Sequence, residues 1–358
     1  MNEVDRWINP NRIQAAREAR GLSKAELALR IGVSAQQITH YERGDDQPKQ
    51  TRLALVAREL SFPEKYFYGD DLYSLTPDTI TFRSRRNLTQ LLKRQAIARS
   101  MHASCLISPA FRERFRLPEH QLPDLSGEQP EDAARMIRSI WNLGDAPIDN
   151  VVHLLEANGI EFYWLSIDSP CVDALSYWQN DRPFVFLNSF KQAGERGRFD
   201  AAHELGHLLL HRHEKDLQTK QVEQEADAFA SAFLLPRAQF TVEAPRSTLV
   251  SDYLRLKPRW KTSVAAMVRR SYDLGLISRY TYENSFKTIS ARGWRTSEPA
   301  ELSRERSAVH LTILERLAAK GTGPREIADK IGLGFTDFFE LVPSSVYFES
   351  PVGGIPVG

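Results

Sequence analysis

Cysteine is nearly missing from this chain: its 358 residues hold two, Cys105 and Cys171. Two thiols cannot build a disulfide framework, which excludes the small disulfide-rich secreted class and points to a reducing cytoplasm. Long apolar runs are missing too. None nears the roughly 18–20 residues that a membrane-spanning helix needs, so no membrane partner is expected. The opening MNEVDRWINPNR has Glu3 and Asp5 and no apolar core, and it does not read as a secretory signal. Charge of one sign is also lacking, because 47 Lys+Arg offset 46 Asp+Glu for a formal net charge of +1. That balance excludes a protein that coats nucleic acid along its whole length. It leaves room for one module that reads DNA, since charge acts locally. Repeats and low-complexity tracts are absent. What is there is ordinary for a globular chain, 42% hydrophobic and 26% charged, and long enough for two or three domains.

The pattern of elements divides the chain. Residues 9–70 carry short helical patterns separated by Gly and Pro, and Asp70–Asp78 is turn-prone. Phe82–Ser100 holds six basic residues (Arg83, Arg85, Arg86, Lys93, Arg94, Arg99) and no acidic one. Leu88, Leu91, Leu92 and Ile97 give that segment the spacing of an amphipathic helix. Pro118–Pro130 reads as a loop. Helices are predicted at Glu131–Trp141 and Ile148–Asn158, and strands at Ile160–Leu165, Ala174–Trp178 and Pro183–Leu187. Two strong helices follow, Phe199–His211 and Val222–Leu235. The region 245–342 reads as helical with breaks at Pro258, Gly293 and Gly321–Pro324, ahead of a Gly/Pro-rich tail, Tyr347–Gly358. The expected fold is multi-domain: an all-α N-terminal module at 1–70, a basic linker or helix at 71–115, an α+β domain at 116–245, a helical C-terminal part at 246–345 and a tail at 346–358.

The first chemical signal lies in residues 12–62. Ser23 with Glu26 three positions on makes a capping box for a helix over Lys24–Ile31, which Gly32 ends. A second helix starts after Ser34 and runs to Arg43, closed by Gly44. Two short helices around a Gly are the geometry that presents the second to a DNA major groove. Val33, Ile38 and Tyr41 would be buried; Ser34, Gln36, Gln37, Thr39 and Arg43 are the candidate DNA contacts. Gln can pair bidentately with adenine, and hydroxyls reach bases or phosphates. These residues resemble the Xre/lambda-repressor-like helix-turn-helix family over about sixty positions, through Arg17, Leu22-Ser23, Glu26-Leu27-Ala28, Gly32-Val33-Ser34, Ile38, Tyr41-Glu42-Arg43-Gly44 and Pro48. The resemblance implies an Arg17–Glu42 ion pair. With 11 Lys/Arg against 10 Asp/Glu, residues 1–70 are nearly neutral, so protein contact stands beside DNA binding as a role for the module.

The second signal is FDAAHELGHLLLHRH, residues 199–213. His203 and His207 are four apart on one helix face, where two imidazoles can share a Zn²⁺ ion, and Glu204 between them can act as the general base. The next helix offers a carboxylate as the third ligand. Glu223 is favoured over Glu225 because Asp227, four residues on, can accept the second ring N–H of His203 or His207. His211 continues the row of histidines and reads as a packing or supporting residue. Tyr177 is a candidate oxyanion donor, against the plainer reading of a core aromatic, and the strand Ala174–Trp178 could pair with extended substrate. Either Cys171 or Cys105 could occupy the open zinc position and keep the site latent; otherwise each is a small buried side chain.

This region is similar to the ImmA/IrrE family of zinc metallopeptidases, with a zincin-like α+β domain. The matching elements are Phe184-Val185-Phe186-Leu187-Asn188, Arg198-Phe199, HELGH and EQEADAFASAFLLP ending at Pro236, with weaker echoes at 256–270 and 293–299. Together with the first module, the resemblance implies a cytoplasmic antirepressor-type endopeptidase that cuts a cognate repressor protein controlling stress, mobile-element or antiphage defence genes. A DNA-binding regulator whose metallo-domain is a sensor, and a docking module without DNA binding, are the other readings. The basic segment adds single-stranded DNA as a candidate activator. Gly323–Val342 has a faint second helix-turn-helix look.

Overall fold

A computed structural model of the chain describes residues 7–72, 80–84, 88–169, 171–189, 193–217, 219–246 and 249–343. The Gly/Pro-rich tail at 347–358 lies outside these. The chain opens with α1 (Pro10–Ala19), α2 (Lys24–Ile31), α3 (Ala35–Arg43) and α4 (Gln50–Leu60), followed by a 3₁₀ turn at Glu64–Tyr68. The capping box forms as the sequence dictates: Glu26 N donates to Ser23 Oγ and Ser23 N to a Glu26 carboxylate oxygen. Gly32 then takes φ +68°, a conformation that glycine adopts without a Cβ penalty, and the chain turns into α3. Arg17 donates to both carboxylate oxygens of Glu42, from Nε at 2.5 Å and Nη2 at 3.0 Å, with both side chains buried.

Next come β1 (Thr81–Ser84), α5 (Gln90–His102) and, after a π-helical turn at Ala103–Ile107, α6 (Ser108–Arg114). The segment read as one amphipathic basic helix thus divides into a strand and a helix, and the helix is not a solvated surface element. Ala96, Ile97, Ala98 and Ser100 of α5 are buried, and Arg99 donates to Ala19 O, Ser166 O and the Glu340 carboxylate. Arg85 and Arg86, and the side chain of Arg83, lie outside the described residues.

The α+β part follows: α7 (Pro130–Ile140), α8 (Val151–Ala157), β2 (Glu161–Leu165), β3 (Val172–Gln179), β4 (Arg182–Asn188), α9 (Gly194–Leu210) and α10 (Lys220–Leu234). The sheet order is β1-β3-β4-β2. β3 and β4 form a hairpin closed by Asn180 and Asp181, both at positive φ (49° and 59°), the backbone that a two-residue hairpin turn requires. β2 runs parallel to β4, and β1 antiparallel to β3. Alternation along the strands gives the sheet two apolar faces. Phe162, Trp164, Ala174, Val185 and Leu187 join the core containing α7, α9 and α10. Tyr163, Leu175, Tyr177, Phe184 and Phe186 join a second cluster on the other face.

The C-terminal region is helical: α11 (Arg237–Glu243), α12 (Val250–Trp260), α13 (Val264–Asp273), α14 (Arg279–Ala291), α15 (Ala308–Ala318), α16 (Pro324–Ile331) and α17 (Phe335–Leu341). Pro258 does not break the chain as expected. It sits inside α12, whose end comes at Lys261 in the left-handed region. Between α14 and α15 the chain is stitched down by carboxylates at helix N-termini. Glu298 accepts from Val264 N, and Glu305 from Val151 N and Val152 N. The second apolar cluster is continuous from α1–α4 across the sheet face to α15–α17. Arg20 crosses it to the Asp337 carboxylate on α17, its Nη2 2.8 Å away. Among the described residues no helix is long and apolar enough to cross a membrane.

Candidate metal centre

Helix α9 is buried along most of its length, so polar side chains on it need partners. It packs against α10 at Gly206, where an added Cβ would lie 3.0 Å from the Phe229 ring. Glycine here lets the two helices approach until the first turns of α10 face the histidines of α9. His203 Nε2 and His207 Nε2 then lie 3.0 Å apart. Glu223 reaches both, Oε2 at 3.6 Å from His203 Nε2 and Oε1 at 3.5 Å from His207 Nε2. Among the described residues these three side chains form the one cluster of His, Cys, Asp and Glu able to hold a metal ion.

The outer nitrogens show which lone pairs turn inward. His203 Nδ1 is 2.9 Å from Asp227 Oδ1, so this carboxylate takes the Nδ1 proton and leaves Nε2 facing the cluster. His207 Nδ1 is 3.0 Å from His211 Nδ1, and His211 Nε2 is 3.0 Å from Glu225 Oε2. The carboxylate at the end of that chain needs the proton on His211 Nε2, which makes His211 Nδ1 the acceptor for His207 Nδ1–H. Both imidazoles thereby present Nε2 to the same point. Ligands about 2.1 Å from a tetrahedral zinc sit roughly 3.4 Å apart; the 3.5 and 3.6 Å separations to Glu223 are close to this, and the two Nε2 atoms at 3.0 Å are somewhat nearer. The donor set of two neutral imidazoles and one carboxylate, with a position left for water, fits a catalytic zinc.

Glu204 is fully buried beside the pair. Its Oε2 accepts from Ser176 Oγ at 2.6 Å and lies 3.1 Å from Thr81 Oγ1, whose hydroxyl donates there or to Ser176 O at 3.0 Å; the two hydroxyl oxygens are 2.7 Å apart. Sequence reasoning did not find these two hydroxyls, because Thr81 and Ser176 come from different strands and lie 123 and 28 residues from Glu204. Nor did it find the contact between His211 and Glu225. Gln221 and His211 hold the Glu225 carboxyl below its usual range. A cleft of about 1130 Å³ opens beside Glu223 and Asp227, walled by Phe199 of α9, Arg269 of α13 and Tyr282 of α14.

Tyr177 is not brought to this centre. Successive side chains on a strand alternate faces, and with Ser176 turned to Glu204, Tyr177 points the other way. Its hydroxyl donates to Ser100 O or Ser104 Oγ, and its ring stacks on Phe186 with centroids 5.5 Å apart. It is a core aromatic and not an oxyanion donor. Cys105 is on that same far face, with Sγ 3.5 Å from Gln179 Nε2, so the sheet separates it from the histidines. Cys171 is half-buried ahead of β3, and its thiol is not part of the metal-ligating set.

In the N-terminal module, Ser34 is the N-cap of α3, accepting from Gln37 N at 3.1 Å. Gln37 Nε2 donates to Asp46 at 2.6 Å, and Thr39 donates to Ala35 O at 3.1 Å. Gln36 and Arg43 are exposed.

Comparison with known proteins agrees with both regions. Residues 13–67 match a family described as helix-turn-helix, and residues 155–272 a family described as IrrE N-terminal-like domain, a metallopeptidase family. A protein of Rhodospirillum rubrum described as an uncharacterized transcriptional regulator in the ATPase CF(0) region is 44% identical over 70 residues, 20% of this chain and 64% of that protein. The chain thus covers a little under two thirds of that relative. The protein is a fusion of a helix-turn-helix module with an ImmA/IrrE-type domain.

Proposed function

We propose that the chain is a zinc-dependent endopeptidase that cleaves a partner transcriptional repressor. The observation that carries this reading is the convergence of His203 Nε2, His207 Nε2 and the Glu223 carboxylate beside the buried carboxylate of Glu204. When bound, zinc would supply Lewis acidity toward the scissile carbonyl and acidify the attacking water. Glu204 takes the proton from that water and delivers it to the leaving amine, so one carboxylate acts first as base and then as acid. Ser176, by donating to Oε2, fixes which Glu204 oxygen faces the substrate. Asp227 and the His211–Glu225 pair hold the two ligand rings in the tautomer that a metal requires. The test is incubation of the zinc-loaded chain with the helix-turn-helix repressor encoded nearest to its gene. Cleavage that stops on chelation and returns with zinc supports the reading; a repressor that stays intact throughout contradicts it.

A second reading, a DNA-binding regulator with the metallo-domain as a sensor, rests on exposed Gln36 and Arg43 on α3 and on the relative described as a transcriptional regulator. Gln36→Ala would then lower affinity for the operator by about ten-fold or more while leaving random DNA unaffected. Equal loss on both sequences would contradict direct base readout by Gln36.

A further inference from the structure

Strand β1 belongs to neither matched region: it lies between residue 67, where the helix-turn-helix match ends, and residue 155, where the metallopeptidase-family match begins. Without it, β3 would be the outer strand of a β3-β4-β2 sheet, with its backbone edge open beside Glu204. An open edge next to a cleavage site recruits extended chain, because the free N–H and C=O groups pair with any segment that can align. Here the connector supplies that segment itself. Thr81 stands opposite Ser176, Phe82 opposite Leu175 and Arg83 opposite Ala174, and the register slips between Arg83 and Ser84. The alternation is that of a bound peptide. Ile80 is fully buried in the apolar cluster on one face, while Thr81 turns to the other face and touches the Glu204 carboxylate.

We propose that β1 is an occupant, in cis, of the edge that a partner protein takes in trans, and that the partner enters by displacing it. The surface fits an extended segment carrying a large aliphatic residue followed by a small hydroxyl-bearing one, as Ile80 and Thr81 do. While β1 is in place the edge beside Glu204 is closed to any other strand, so the chain stays latent until strand exchange. This rests on reading α9 and α10 as a peptidase site, yet it can be tested without catalysis.

Thr81→Pro removes the backbone N–H and the hydroxyl of β1 and should open the edge in the full chain. A fluorescent synthetic peptide with the sequence of residues 79–86 is expected to bind this variant at least ten-fold more tightly than the wild type, and equal affinity would overturn the proposal. In the wild-type chain, which needs no substitution, the amides of Thr81–Ser84 are expected to exchange with solvent at least a hundred-fold faster than those of β4. Protection of β1 equal to that of β4 would overturn it as well. A chain that takes up the peptide but leaves the repressor uncut ends the peptidase reading alone; one that cuts the repressor with β1 fixed ends only the strand exchange.

Discussion

His207 and His211 face each other Nδ1 to Nδ1 at 3.0 Å, and Glu225 closes the chain on the far side of His211. The arrangement gives His211 a role although it is no ligand. Removing it takes away the His211 acceptor of the His207 Nδ1 proton, and with it that hold on the ring's tautomer. His211→Ala and Glu225→Ala are each expected to weaken zinc binding by about 10–100-fold in a chelator competition, the usual effect of losing such a partner. Glu223→Ala, which removes a proposed ligand, should weaken it more. Unchanged affinity in both relay variants would show that the chain does not support the metal.

One buried ion pair, Arg17 with Glu42, ties α1 to α3 in the helix-turn-helix module. Arg17→Ala leaves the Glu42 carboxylate, 2% exposed, without its two guanidinium donors. The cost is expected to be about 3–5 kcal/mol, read by urea denaturation. A loss under 1 kcal/mol would mean that Glu42 finds water or Lys24, whose Nζ is 3.3 Å from it.

Acid should destabilise the fold through two buried histidines. Burial holds His102 and His310 neutral, each pushed down to about 3. The folded state then binds fewer protons than the unfolded chain between about pH 3 and pH 6.5. Stability from these groups is full above pH 6.5 and falls by up to about 1.4 kcal/mol per pH unit per histidine below it. His310 packs on Tyr163, ring centroids 4.9 Å apart, and its Nδ1 has no hydrogen-bond partner among the described residues. His310→Phe is therefore expected to lessen the loss in melting temperature between pH 7 and pH 5. An unaltered pH slope would contradict the assignment.

Tyr177→Phe separates a core role from a catalytic one. It removes a buried hydroxyl bonded to Ser100 O and Ser104 Oγ, so stability should drop by about 1 kcal/mol while repressor cleavage keeps its rate. A hundred-fold fall in kcat would restore Tyr177 as an oxyanion donor.

How much of this was legible in the sequence follows the range of each interaction. Ser23 with Glu26, Gly32 and Gly44 are local signals, and the helices over Lys24–Ile31 and Ala35–Arg43 appear where those signals put them. The i, i+4 spacings of His203 with His207 and of Glu223 with Asp227 are helical geometry, so the sharing of a face could be read directly. The choice of His203 as the partner of Asp227 could not, because it depends on how α10 lies against α9. Thr81 and Ser176 were out of reach for the same reason, since only the pairing of β1 with β3 brings them to Glu204. The reading of Phe82–Ser100 as a single helix failed because apolar spacing at Leu88–Ile97 describes α5 and says nothing of the residues before it. Tyr177 was misplaced by one step of strand alternation, which periodicity alone does not anchor to a face.

The most direct measurement is the intact mass of the candidate repressor after co-expression with the wild-type chain and with Glu204→Gln. That substitution keeps the shape of the side chain and removes the carboxylate that moves the proton. The expected result is two defined fragments with the wild type and a full-length repressor with the variant. A repressor left whole by both, or cut at the same place by both, would contradict the claim that this chain is a peptidase working through Glu204.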